Sequence, residues 1–129
     1  MVPYTGKLRA RVITFDPGHV VVELRDRRAV RNHLASVHAM ALANAGELAT
    51  GLAMLGALPS DVRGILIGFE IDFQKKARGM LLAESRCDVP QVTDDQEYLA
   101  VATITDPAGD TVATARATWR LGPVPTSTA

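Results

Sequence analysis

Several short runs of alternating hydrophobic and polar residues predict β-strands in this chain. Residues 8–24 are rich in Val and Ile and are interrupted only by the turn signal Asp16-Pro17-Gly18, which predicts a β-hairpin. Residues 97–105 and 111–121 flank a segment with Asp, Pro and Gly, which predicts a second hairpin. In the last strand the alternation predicts a core-facing set of Ala113, Ala115, Ala117, Trp119 and Leu121.

Two further runs between these hairpins also have a period of two, which is typical of half-buried strands. The first run predicts one shared face made of Ile65, Ile67, Phe69, Ile71 and Phe73. The second predicts a shared face made of Leu81, Ala83, Ser85, Cys87 and Val89. We expect these two runs to be neighbouring strands, the last four strands to form a meander, and Cys87 to lie in the core.

A long apolar helix is predicted between the first hairpin and the later strands. Residues 36–58 consist mainly of Ala, Leu, Met and Gly, and the helix should end near Gly56 because Pro59 cannot continue it. Its apolar residues occur on all sides, so it must be wrapped by other elements. A membrane-spanning helix is disfavoured by Glu47, His38 and Asn44. The pattern therefore predicts an α+β fold in which a six-stranded antiparallel sheet wraps around one long central helix.

Length and composition narrow the classes of protein. The 129 residues suit one domain, predicted at residues 1–121, followed by a disordered tail at 122–129 that is rich in Pro, Thr and Ser. Basic and acidic residues both number 14, so neither nucleic acid nor an anionic membrane is an expected partner. One Cys and three His predict no internal disulfide, metal or cofactor. The first residues lack a signal-peptide pattern, so we expect a cytoplasmic protein.

Glu47 is the only formally charged residue in the predicted helix. Burying an unpaired carboxylate is costly, so Glu47 must be exposed in a cleft or have polar partners. From the residues alone, a solvated helix residue and a functional carboxylate are equally open interpretations.

The spacing of three polar residues adds a resemblance. Asn32 lies six residues before His38, Glu47 follows His38 by nine, and the segment 73–79 reads Phe-Gln-Lys-Lys-Ala-Arg-Gly. This pattern resembles the PaaI-like hotdog-fold acyl-CoA thioesterases, in which an asparagine precedes a His-Gly-Gly by six residues and an acidic residue follows by nine. The resemblance implies a hotdog fold and hydrolysis of a small or medium acyl-CoA thioester at a site between two subunits.

The resemblance also implies roles for individual residues. The backbone amide of Ala39 would stabilise the oxyanion, because free amides at a helix N-terminus attract negative charge. Asn32 would hold a water or the carbonyl, and Glu47 of the opposite subunit would act as general base or nucleophile. We expect His38 to shape the loop rather than transfer protons, and His33 and His19 to have solvent or packing roles.

Two departures from the family pattern keep a second function open. Ala39 and Met40 replace the paired glycines, and Met40 would narrow the substrate site. Many relatives carry a Ser or Thr on the strand after the helix, and the corresponding position here is Leu66 or one of its neighbours. The hydroxyl group is therefore expected to be absent. A non-catalytic acyl or acyl-CoA binding protein is therefore the alternative to a thioesterase. A hydratase is the least favoured, because its Asp-x-x-x-x-His pattern is missing.

A run of basic residues and the uncovered edge of the sheet indicate two possible partners, coenzyme A and a second subunit. Lys75, Lys76 and Arg78 form either a solvated strand end or a phosphate-binding rim for coenzyme A, with Arg27, Arg28 and Arg31 as less favoured candidates. A sheet of six strands around one helix leaves an edge strand uncovered, so we expect a homodimer, which could pair into a homotetramer.

Overall fold

The computed structural model describes residues 10–25 and 39–124, and within them one helix packs against a six-stranded antiparallel sheet, as predicted. The elements in chain order are β1 (Ala10–Asp16), β2 (His19–Leu24), α1 (Ala39–Ala57), β3 (Val62–Phe73), β4 (Leu81–Arg86), β5 (Gln96–Thr105) and β6 (Thr111–Pro123). Both predicted hairpins are confirmed, with Gly18 (φ 79°) and Gly109 (φ 88°) in the left-handed conformation that their turns require. β6 continues to Pro123, two residues beyond the predicted domain end at Leu121.

The strand order is β1-β2-β4-β5-β6-β3, which corrects the predicted four-stranded meander. Only β4, β5 and β6 form a meander; β3 pairs with β6 at the far edge, and β4 pairs with β2 and β5. β3 and β4 are therefore not neighbours. The connection after β3 crosses the end of the sheet and is tied to the β5–β6 hairpin, where Lys75 Nζ lies 2.8 Å from an Asp106 carboxylate oxygen.

A β-bulge in β3 corrects the predicted shared face of that strand. The register with β6 shifts between Leu66 and Gly68, so Leu66 lies opposite the buried Trp119, whereas Ile65 lies opposite the exposed Arg120. A bulge adds one residue to one strand, so the side chains before it and after it alternate in opposite phase and point to exchanged faces of the sheet. Only Phe69 and the alternate residues after it remain on the helix side. Ile65 and Ile67 are 49% and 45% exposed.

The core lies between α1 and the inner face of the sheet. Small helix residues make this contact, including Ala45, Ala49 and Ala53, all of which are buried. The helix approaches β6 so closely that a Cβ atom added to Gly46 would lie 2.6 Å from the Cβ of Ala115. The inward alternation predicted for β6 is confirmed, because its members are all buried: Ala113, Ala115, Ala117, Trp119 and Leu121.

The remaining predictions about the core and the helix also agree with the structure. Cys87 is buried, on the same side as Leu81, Ala83 and Ser85. α1 ends at Ala57, one residue beyond the predicted Gly56. Within residues 10–25 and 39–124, no helix combines the length and hydropathy needed to span a bilayer.

Candidate functional site

Glu47 is exposed on α1, so its carboxylate is not a buried, unpaired charge. It is the only acidic or basic residue of this helix. The backbone carbonyl of Glu47 accepts a hydrogen bond of 3.0 Å from the hydroxyl of Thr50, which is fully buried. The helix is thus anchored in the core one turn beyond a carboxylate that reaches solvent.

The side of α1 that carries Glu47 faces β6 and the edge strand β3. One turn beyond Glu47, Gly51 lies against the indole of Trp119; two turns beyond it, Met54 contacts Gly64 of β3. Residues three, four or seven positions apart share one helix face. The carboxylate therefore projects toward the open edge of the sheet.

Two aromatic residues of β3 line the same edge. Phe69 and Phe73 lie on the helix side of β3, opposite Ala117 and Ala113, yet they are 36% and 51% exposed. The ring of Phe69 comes within 3.9 Å of the position that a Cβ on Gly46 would occupy, so it lies at the level of Glu47. The carboxylate is therefore accompanied by exposed apolar surface.

The start of α1 lies at the end of the sheet where β6 begins. Gly46 lies over Ala115 and Gly51 over Trp119, so the helix and β6 run in the same direction. The described helix opens at Ala39, and the side chain of Met40 is 59% exposed. Asn32 and His38 lie outside the described residues, as do Arg27, Arg28 and Arg31. The meeting of Asn32, His38 and Glu47 accordingly stays a prediction.

The basic run occupies the same end of the sheet. The amides of Gln74 and Lys75 both donate to the carbonyl of Val112, near the start of β6. Lys75 Nζ lies 2.8 Å from carboxylate oxygens of both Asp106 and Asp110. Hydrogen bonding to these two groups raises the pKa of Lys75, and the bond from Lys75 holds the pKa of Asp106 below its ordinary value.

The three basic side chains therefore divide into two groups. The charge of Lys75 is satisfied within the fold, where it ties the crossover to the β5–β6 hairpin. Lys76 and Arg78 are exposed, and within the described part of the chain neither forms an ion pair. Between them Ala77 is 2% exposed and anchors the segment. Of the three basic residues, Lys76 and Arg78 are the two whose charges no described carboxylate balances.

The sequence did not mark Phe69 or Trp119 as parts of a site, and Phe73 entered only as the first residue of the segment 73–79. All three follow the strand alternation that predicts core residues. The exposure of the two phenylalanines depends on β3 being an edge strand. Leu66 lies on the helix side of β3, opposite Trp119. An apolar side chain therefore stands near the position where many relatives carry a Ser or Thr hydroxyl. His19 lies elsewhere, on the outer face, with its Nε2 2.6 Å from Glu84.

Comparison with solved structures gives strong similarity over nearly the whole chain. A genomics target of 28% identity has a TM-score of 0.85 and covers 93% of this chain and 81% of its own. A Pseudomonas aeruginosa protein of unknown function, named a probable thioesterase, is 24% identical with a TM-score of 0.85, covering 95% and 88%. A candidate thioesterase from Ralstonia eutropha, named as related to phenylacetic acid degradation, is 19% identical with a TM-score of 0.78, covering 93% and 90%.

These neighbours confirm the predicted hotdog fold. No curated protein matches the sequence. A family model described as a domain of unknown function, DUF4442, matches residues 1–121, and because this match spans most of the 129 residues the chain belongs to the DUF4442 family.

Proposed function

We propose that this protein hydrolyses a small or medium acyl-CoA thioester at a site shared between two subunits. The observation that carries the proposal is the position of Glu47. It is an exposed carboxylate, alone in an otherwise uncharged helix, on the side facing the open β3 edge and level with Phe69. The spacing of Asn32, His38 and Glu47 supports the proposal, as do neighbours whose names include a thioesterase.

The proposed reaction uses a water molecule as nucleophile. Glu47 takes a proton from this water while the water oxygen bonds to the thioester carbon, and the carbonyl oxygen becomes an oxyanion. The backbone amide of Ala39 donates to that oxyanion, and Asn32 holds the water or the carbonyl. When the tetrahedral intermediate collapses, the carbon–sulfur bond breaks and the proton passes to the departing thiolate. Direct attack by Glu47, followed by hydrolysis of the resulting anhydride, would use the same residues.

A second copy of the chain completes the site in this proposal. β3 is twelve residues long, and in the described sheet one of its sides has no hydrogen-bonded strand. Such an edge offers a row of backbone donors and acceptors to another strand. Pairing of two β3 edges would cover Phe69 and bring Glu47 of one subunit toward the start of α1 in the other. A homodimer is thus the smallest active form, and homotetramers remain compatible with it.

Lys76 and Arg78 are proposed to bind the phosphates of coenzyme A. They are exposed at the same end of the sheet as the start of α1. The contacts of Lys75 with Asp106 and Asp110 hold their segment in place. Cationic side chains next to a thioester site suit the negatively charged nucleotide portion of the substrate. The proposal gives Lys75 a smaller part in this binding, because two carboxylates already balance its charge.

The test of the proposal is Glu47→Gln, which keeps the shape of the side chain but cannot accept the proton. We expect kcat/KM for acyl-CoA hydrolysis, followed with a thiol reagent, to fall about 10²- to 10⁴-fold, the usual contribution of a positioned base. Asn32→Ala should also slow turnover. Glu70→Gln is the matched control, because Glu70 is an exposed carboxylate on the outer face, opposite Arg116.

The same experiment separates hydrolysis from simple binding. If the wild-type protein binds acyl-CoA analogues but hydrolyses none of a panel of acyl-CoAs, the non-catalytic binding protein is the better description. If Glu47→Gln retains the wild-type kcat/KM with every active substrate, Glu47 is a solvated helix residue and the catalytic assignment fails.

A further inference from the structure

The ring of Phe69 spans the distance between the edge strand and the helix. Phe69 belongs to β3, where it lies opposite Ala117 of β6. Its Cζ atom, at the tip of the ring, lies 3.9 Å from the position that a Cβ on Gly46 would occupy, and the same position lies 2.6 Å from the Cβ of Ala115. The ring therefore reaches from β3 to the point where α1 crosses β6.

The residues under and beside this ring are small. Gly46 has no side chain, and Ala115 and Ala117 carry only a methyl group. Both alanines are fully buried, whereas Phe69 is 36% exposed, so the ring forms the outer cover over them. Removing the ring would therefore uncover a slot between α1 and β3 with methyl groups as its floor.

With the ring in place, no chain can pass between α1 and β3 at this level. A hydrocarbon chain lying between two groups needs about 7–8 Å between their atom centres, which is twice the contact distance of carbon atoms. The tip of the Phe69 ring lies much closer than that to the helix at Gly46. The wild-type protein thus offers an acyl group the exposed side of the ring and no recess behind it.

The ring also lies beside the carboxylate that the proposed reaction uses. Glu47 follows Gly46 directly in α1, and Glu47 and Phe69 are both exposed. An acyl group whose thioester carbon is at Glu47 meets the exposed side of this ring with its first carbon atoms. Further methylene groups of a longer chain remain in water, so they add little to binding.

We propose that Phe69 is the residue that limits the length of the acyl group and restricts the protein to short acyl thioesters. This inference rests on the proposed function, because it places the thioester at Glu47. Without the ring, the slot over Ala115 and Ala117 accepts a chain about four carbon atoms longer, since an apolar cavity left by a deleted side chain binds apolar groups of matching size.

Acyl-CoA thioesters of different length test this role in the hydrolysis assay. We expect the wild-type kcat/KM to be no higher for octanoyl-CoA than for butyryl-CoA. In Phe69→Ala the octanoyl-to-butyryl ratio should rise at least about 10-fold, because one methylene group in an apolar site already changes kcat/KM by about that factor. The gain should appear mainly in KM, as expected for a contact that is equal in the ground and transition states.

Two further variants control this experiment. Phe69→Leu keeps an apolar side chain on the edge strand and should give an intermediate ratio, so the inference stays testable if Phe69→Ala does not fold or assemble. Ile65→Ala removes an apolar side chain of the same strand that is 49% exposed and lies opposite Arg120 on the outer face. It should leave the ratio unchanged. Sedimentation at one protein concentration checks that all variants have the same assembly state.

A binding measurement keeps this inference separate from the proposed catalysis. S-butyl-CoA and S-octyl-CoA are thioethers that cannot be hydrolysed, and calorimetry gives their Kd values. Phe69→Ala should favour the octyl compound over the butyl compound at least about 10-fold more than the wild type does. This shift without any acyl-CoA hydrolysis would support the length limit and contradict the proposed function. Hydrolysis that depends on Glu47 but has the same length profile in Phe69→Ala would do the reverse.

Three results would overturn the inference. The first is a wild-type protein that already favours the octanoyl or octyl compound about 10-fold. The second is a ratio that is the same in Phe69→Ala and Phe69→Leu as in the wild type. The third is an equal change of the ratio in Ile65→Ala, which would mean that any lost apolar side chain of β3 has this effect.

Discussion

Replacing Gly46 by Ala tests the close contact that positions Glu47. The added methyl group would lie 2.6 Å from the Cβ of Ala115, whereas ordinary contacts of a Cβ atom lie at 3.4–4 Å. Both atoms are tied to backbone, in α1 and in β6, so neither can rotate away. The helix must move off the sheet by about 1 Å, since repulsion rises steeply below the contact distance.

The expected change in stability follows from two opposing terms. Overpacking of a dense core costs about 1–3 kcal/mol, and the better helix propensity of alanine returns about 1 kcal/mol. Gly46→Ala should therefore destabilise the protein by up to about 2 kcal/mol. Gly56→Ala is the control, because its methyl group would lie 3.6 Å from the ring of Phe15 and should be accommodated.

Urea denaturation at one fixed protein concentration measures both variants, and kcat/KM reports whether Glu47 has moved. Adding Ala115→Gly removes the opposing methyl group, so a double-mutant cycle with Gly46→Ala should give a favourable coupling of at least about 1 kcal/mol. The reasoning is refuted if Gly46→Ala is as stable as Gly56→Ala, or if the cycle shows no coupling. Either outcome would mean that α1 does not lie on β6 at this point.

The remaining predictions concern charge and burial. Changing Lys76 and Arg78 together to Ala should raise KM for CoA thioesters with little effect on short acyl thioesters that lack the nucleotide; an unchanged KM would leave both as plain surface residues. Lys75→Met should lower stability most at neutral pH. The lowered pKa of Asp106 means that its contribution to stability is present above about pH 4 and is lost as the pH falls through the folded pKa. A deficit that does not shrink as the pH is lowered below about 4 would contradict the ion pair. Burial raises the pKa of the Cys87 thiol, so iodoacetamide at pH 8 should modify native protein far more slowly than urea-unfolded protein; equal rates would contradict the buried position.

The elements of the fold could be predicted from sequence because they depend on local patterns. The hairpin at Gly18, the end of α1 near Gly56 and the buried side of Cys87 all follow from turn chemistry, helix propensity and alternation. The bulge in β3 could not be predicted, because Ile65, Leu66 and Ile67 are all apolar and fit either face. The position of β3 in the sheet could not be predicted either, since alternation shows that a strand has two faces but not which strands flank it.

The candidate site shows the same division. Glu47 could be found because a single charge in an apolar helix is visible in the sequence. The different roles of Lys75 and Lys76 could not be found, because adjacent lysines look alike until their neighbours are known. Asp106 and Asp110 lie more than thirty residues away along the chain, and only the crossover of the segment after β3 brings them to Lys75.

The corrected strand order bears directly on the proposed site. In a meander, β3 would pair with β4, and its aromatic residues would lie inside the sheet rather than at its edge. The crossover instead places β3 beyond β6, which leaves Phe69 and one row of backbone groups open beside Glu47. Lys75 fixes this crossover through two carboxylates, and Gly79 (φ 80°) packs against Pro107 of the same hairpin. Lys75 therefore helps to keep the edge strand where, in the proposed function, a second subunit completes the site.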